Sequence, residues 1–103
     1  MADPILIRAA VSNGITEIRM RLTHPMETGQ RTDAAGRTIP AHFITRMTVE
    51  HNDRVLVSAH MAPSIAADPL FTFRFRGGAS GDSIRVSWLD NRGETRSDDA
   101  LVR

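Results

Sequence analysis

Gly81-Asp82-Ser83-Ile84-Arg85-Val86-Ser87-Trp88-Leu89-Asp90-Asn91-Arg92-Gly93-Glu94 decides the fold. Ile84, Val86 and Trp88 alternate with Arg85 and Ser87, so an extended chain here has one apolar and one polar face. Asp90 to Gly93 supply the Asx-type and glycine residues that a reversal needs. The stretch therefore reads as turn, strand, turn and the start of a return strand. This is an antiparallel hairpin carrying the only tryptophan.

The same period of two recurs outward from it. Thr95 to Val102 is the return strand, and Gly77 to Asp82 is a glycine-rich turn. Upstream, Leu70 to Arg76 places Phe71, Phe73 and Phe75 on one face. Val55 to Met61 groups Val55, Val57, Ala59 and Met61, and Phe43 to Val49 groups Phe43, Met47 and Val49. His51-Asn52-Asp53-Arg54 turns between them. Ile5, Ile7, Ala9 and Val11 mark a first strand, Ser12-Asn13-Gly14 a tight turn, and Ile18, Met20 and Leu22 a second strand. Seven short strands with regular turn signals predict an all-β immunoglobulin-like antiparallel sandwich, with a small closed barrel as the other solution. The 103 residues suit one domain, 1–103, that holds a core without staples.

Composition narrows the chemistry. There is no cysteine, which excludes a disulfide scaffold, a thiolate metal site and a cysteine nucleophile. All thirteen basic residues are arginine, and twelve carboxylates leave a formal charge of +1. Arginines and carboxylates are interspersed, and only Arg74 and Arg76 read as sharing a face beside an aromatic run. With four Phe, one Trp and no Tyr, a nucleic-acid surface is not expected. No segment has the apolar core of an export signal or the length of a membrane span.

No catalytic constellation stands out. Ser, His and Asp occur without a nucleophile-elbow sequence. Asp98 and Asp99 point to opposite faces of a strand. Gly77-Gly78-Ala79-Ser80-Gly81 leads into a strand, not into the helix that a phosphate cradle uses. His24 and His42 flank a long polar loop, residues 24–42, and meet if its ends close. With Met26 they would make a soft metal site, although hydrogen-bonded histidines are the plainer reading. The loop exceeds the ~12–15 residues usual in compact domains, a length that marks functional or disordered segments. Glu27-Thr28-Gly29-Gln30-Arg31 concentrates a carboxylate, hydroxyl, amide and guanidinium there. Aliphatic residues on the faces opposite the core stripes, Leu6, Ile44, Leu56, Leu70 and Leu89, are candidates for a partner interface.

Three stretches carry a resemblance. His24-Pro25-Met26-Glu27-Thr28-Gly29-Gln30-Arg31 with Ile39-Pro40-Ala41-His42-Phe43-Ile44, then Pro69-Leu70-Phe71-Thr72-Phe73, then the opening hairpin, resemble in order the signature of the SoxZ family. The resemblance covers essentially the whole chain. It implies an immunoglobulin-like subunit of the SoxYZ sulfur carrier, in which SoxY bears the sulfur on a cysteine of a mobile arm and SoxZ contributes no covalent chemistry. It further implies transient contact with the SoxAX cytochrome, the SoxB hydrolase and the SoxCD sulfane dehydrogenase. It implies a periplasmic location reached by co-export with SoxY, and no cofactor or metal. No catalytic residue transfers. His24, Met26, Glu27, Thr28 and Arg31 are the candidates for a loop facing the enzymes or the arm. An isolated chain with an uncovered apolar face is expected to form homo-oligomers. Two other readings remain at this point: a sandwich module binding some other partner, and a small His-ligated metal redox protein.

Overall fold

The structure is a computed structural model that describes residues 2–103. Among these described residues there are seven strands: β1 (Leu6–Ser12), β2 (Ile15–Arg21), β3 (Ile44–His51), β4 (Arg54–His60), β5 (Leu70–Arg76), β6 (Ser83–Asp90) and β7 (Thr95–Leu101). They form a three-stranded sheet, β1-β2-β5, and a four-stranded sheet, β4-β3-β6-β7, every neighbour pair antiparallel. The expected immunoglobulin-like sandwich is the fold.

Two of the hairpins turn over two residues. Asn13-Gly14 and Asn52-Asp53 both have positive φ at each position, as the mirror-image turns matching strand twist require. The chain end closes one side of the sandwich. Val102 lies parallel to Ala9, with Arg103 N–H donating to Ala9 O and Val11 N–H to Arg103 O. Among the described residues, the edges β4 and β5 have no further strand partner on the other side.

The core follows strand position. The middle strands β2, β3 and β6 supply the fully enclosed side chains Ile18, Met20, Ile44, Met47, Val49, Ile84 and Val86, while the stripe Phe71, Phe73 and Phe75 on edge strand β5 is half-buried. Each buried aliphatic stabilises by roughly 1.5–3 kcal/mol relative to exposure.

Two expectations about faces are overturned, both by β-bulges. Ile44 pairs with Asp90 but Arg46 pairs with Leu89, so Thr45 is an extra residue and Ile44 swings to the face of Met47. Ile44 is therefore fully buried, not an outer-face residue. On β4, Val57 opposes Val49 but Val55 opposes Glu50, so Leu56 is the extra residue. Val55 leaves the stripe of Val57 and Ala59 and is 60% exposed. The remaining outer aliphatics scatter. Leu6 and Leu70 lie on the three-stranded sheet, Leu89 on the four-stranded one, and Leu56 at the β4 edge.

Candidate functional site

The long β2–β3 connection is an ordered ribbon, not a loose loop. Glu27 and His42 exchange both backbone hydrogen bonds, Thr32 bridges Thr38, and Ile39 N–H donates to Arg31 O at 2.8 Å. Asp33 closes the tip, its Oδ1 accepting from the N–H groups of Ala35 and Arg37. Gly29 has φ +86° and a Cβ there would stand 3.1 Å from Ala41 Cβ, so the two ribbon arms touch at a glycine.

The base of the ribbon is pinned at three points. Leu22 is fully buried and donates to Pro69 O. His24 N–H donates to Asp68 Oδ1 at 2.9 Å while Asp68 N–H returns to His24 O, tying entry to the β4–β5 connection. Asn91 takes the exit: its Oδ1 accepts Phe43 N–H and its Nδ2 donates to Ala41 O.

Asp90 binds the two ends together. His24 Nε2 and His42 Nε2 lie 3.1 and 2.8 Å from the same oxygen, Asp90 Oδ2. Asp90 Oδ1 accepts from Arg92 and Glu94 N–H, which shapes the β6–β7 turn. Burial by itself pushes the Asp90 carboxyl up. The hydrogen bonds from His24, Glu94, His42 and Arg92 outweigh it and hold the group below the usual carboxylate range. Trp88 stands edge-on to His24, with centroids 5.1 Å apart.

The donor atoms of His24, His42 and Asp90 lie within 4.8 Å of one another, as metal ligands would. The proton positions do not suit a cation. Met26 N–H donates to His24 Nδ1 at 3.1 Å, so the ring proton sits on Nε2, the atom that would have to ligate. A metal-bound imidazole has the reverse arrangement, with its distal nitrogen donating to an acceptor. The Met26 sulfur is likewise engaged, accepting Ile44 N–H at 3.3 Å. The cluster suits a hydrogen-bonded clasp better than the soft His/Met site.

The five loop candidates thus separate into two roles. His24 and Met26 are buried in the base, Met26 with φ +49°. Glu27 and Arg31 form a two-pronged ion pair on the outer side, which lowers the Glu27 carboxyl and raises the Arg31 guanidinium through their mutual hydrogen bonds. Thr28 Oγ1 accepts Gln30 N–H beside them. Residues 30–38 are exposed along the ribbon tip. Asp90 read only as a turn former in the sequence. The flanking histidines were the signal pointing to a clasp, but not to its carboxylate.

The sequence model of one family, described as sulphur oxidation protein SoxZ, matches residues 7–100, nearly the whole chain. No curated protein matches it significantly. The chain belongs to the SoxZ family and has a role in the sulfur oxidation system.

Proposed function

From its membership of the SoxZ family, we propose that this chain is the non-catalytic subunit of a SoxYZ sulfur-carrier heterodimer. The observation that carries the reading is the family match over residues 7–100 in a chain with no cysteine. The sulfur must then ride on the partner's thiol. SoxY is the stable partner, and SoxAX, SoxB and SoxCD are transient ones. The pair works in the periplasm after joint export.

The seat for SoxY is the outer face of the four-stranded sheet. Ser58, Thr48, Ser87 and Ser97 pair across it in one row, flanked on one side by the row His60, Arg46, Leu89 and Thr95 and on the other by Glu50 and the ion-paired Arg85 and Asp99. Small hydroxyls and an exposed leucine bury at little cost, as a permanent interface requires. The ribbon edge of Glu27, Thr28 and Arg31 faces the arm or an incoming enzyme, with His24 and Met26 positioning it.

Reconstitution tests this. Thiosulfate-dependent electron transfer by SoxY, SoxAX, SoxB and SoxCD should require this chain. Full turnover without it would sink the reading.

A further inference from the structure

The outer face of the three-stranded sheet concentrates charge in a way the linear sequence hides. Strand pairing stacks four rows: Leu6–Arg21–Leu70, Arg8–Arg19–Thr72, Ala10–Glu17–Arg74 and Ser12–Ile15–Arg76. Five of the thirteen arginines share this face with one of the twelve carboxylates, leaving eight arginines against eleven carboxylates elsewhere. The sequence grouped only Arg74 and Arg76 on a face beside the aromatic run, and strand pairing adds Arg8, Arg19 and Arg21 to that face. The face is +4 on a molecule that is −3 over the remainder. Glu17 sits centrally and accepts from Arg19 and Arg74 at 2.9 and 2.8 Å. Among the described residues, Arg8, Arg21 and Arg76 pair with no carboxylate. At one end Leu6 and Leu70, each 63% exposed, flank Arg21.

We propose that this arginine face is a docking surface for the acidic face of a transient protein partner. It rests on the carrier reading only for the choice of enzymes to try. Charge complementarity names the occupant. Guanidinium forks match carboxylates two-prongedly, and arginine with leucine is an interface composition. A second copy of this chain is disfavoured, because a two-fold contact would set arginine against arginine. Nucleic acid is disfavoured because the phenylalanines of β5 point inward and the face offers no ring for base stacking. A permanent partner is disfavoured because it would dehydrate five guanidiniums. Three strands of seven residues span only about 14 by 23 Å, which fits the small, weak class of contacts. Such a surface acts chiefly on the rate of encounter, by steering.

The test compares the wild-type chain with R8E/R21E/R76E and the milder R8Q/R21Q/R76Q. Each is measured alone and with SoxY, with thermal unfolding to confirm the fold. Association with immobilised SoxAX, SoxB and SoxCD is followed by surface plasmon resonance from 25 to 300 mM NaCl, roughly across the range where screening shortens most. At least one enzyme should show a tenfold or greater fall in association rate for the Glu variant at low salt. The Gln variant should be intermediate, dissociation little changed, and the salt dependence flattened. Unchanged association with all three enzymes overturns the proposal. So does binding of wild type to a 20-base-pair DNA duplex or phosphatidylglycerol vesicles, but to no enzyme, with the same arginine dependence. Loss of the SoxY heterodimer in folded variants overturns it too, by giving the face to the permanent partner. Failure of wild type to pair with SoxY defeats the carrier reading instead, and the chain alone still reports on the face.

Discussion

His24 and His42, at opposite ends of the β2–β3 ribbon, meet edge to face with ring centroids 4.5 Å apart and share one carboxylate oxygen of Asp90. One side chain at the end of β6 therefore fixes where an exposed ribbon leaves and rejoins the sandwich. The sharing also makes the clasp intolerant of substitution, because both ring N–H groups need the same acceptor.

Asp90→Asn keeps the shape but halves the acceptor capacity, so an amide N–H or the β6–β7 turn must give way. Asp90→Ala leaves four donors without their acceptor, the His24 and His42 rings and the Arg92 and Glu94 N–H groups, with His24 fully enclosed. Both variants should lose about 2–4 kcal/mol of stability, the cost of unsatisfied buried groups. Urea unfolding measures it. Amide exchange should show faster exchange at Glu27 and His42, whose mutual backbone bonds depend on ribbon closure. Wild-type stability in Asp90→Asn would contradict the clasp.

Acid should weaken the protein through the same group. The Asp90 carboxyl is held below its ordinary value in the folded chain, and so are Asp82 and Asp98, first by the hydrogen bonds from His51 and from Arg96. A lowered folded value means the unfolded chain binds protons first as pH falls. The stability these groups add is thus complete above about pH 4–5, near the unfolded carboxylate value, and is lost as pH falls through the folded values. Unfolding free energy from pH 7 to 2 should decline over that window, and the decline should be shallower in Asp90→Asn. A profile identical to wild type would remove Asp90 from the set.

Gly78 and Gly14 should separate steric from backbone cost. A Cβ at Gly78 would lie 2.2 Å from Thr16 Oγ1, on a fully buried threonine that donates to Gly77 O at 2.7 Å. At Gly14 nothing lies within 4 Å. Both have positive φ, +83° and +75°. Gly14→Ala should therefore cost only the left-handed backbone term of about 1–2 kcal/mol, and Gly78→Ala clearly more. Equal unfolding midpoints would show that Thr16 yields without loss.

Arg31→Ala tests the ribbon edge without touching its base. The Arg31 guanidinium is itself largely exposed, so removing it should change stability by less than about 1 kcal/mol. Thiosulfate turnover in the reconstituted system should fall while assembly with SoxY persists. Unchanged turnover together with unchanged assembly would take Arg31 out of the docking role.

The strands were legible because each face obeys a period of two, and the turns because Asn-Gly and Asn-Asp announce themselves. What escaped the sequence is what depends on pairing. Ile44 and Val55 reversed faces because a bulge inserts one residue that periodicity cannot see. The arginine face needs the strand order β1-β2-β5, which sets Arg8, Arg19 and Thr72 in one row although they lie far apart in the chain. The two histidines were visible as flanks of a loop. Asp90 was hidden by its second job, capping a turn that by itself explained its presence.

The most direct test is the native mass of this chain mixed with equimolar SoxY, run beside Ser87→Arg. Wild type should give a one-to-one heterodimer. Ser87→Arg, which plants a charge in the hydroxyl row of the four-stranded sheet, should remain folded and leave the two chains separate. Separate wild-type chains would contradict the carrier reading, and a heterodimer undisturbed by Ser87→Arg would contradict its seat.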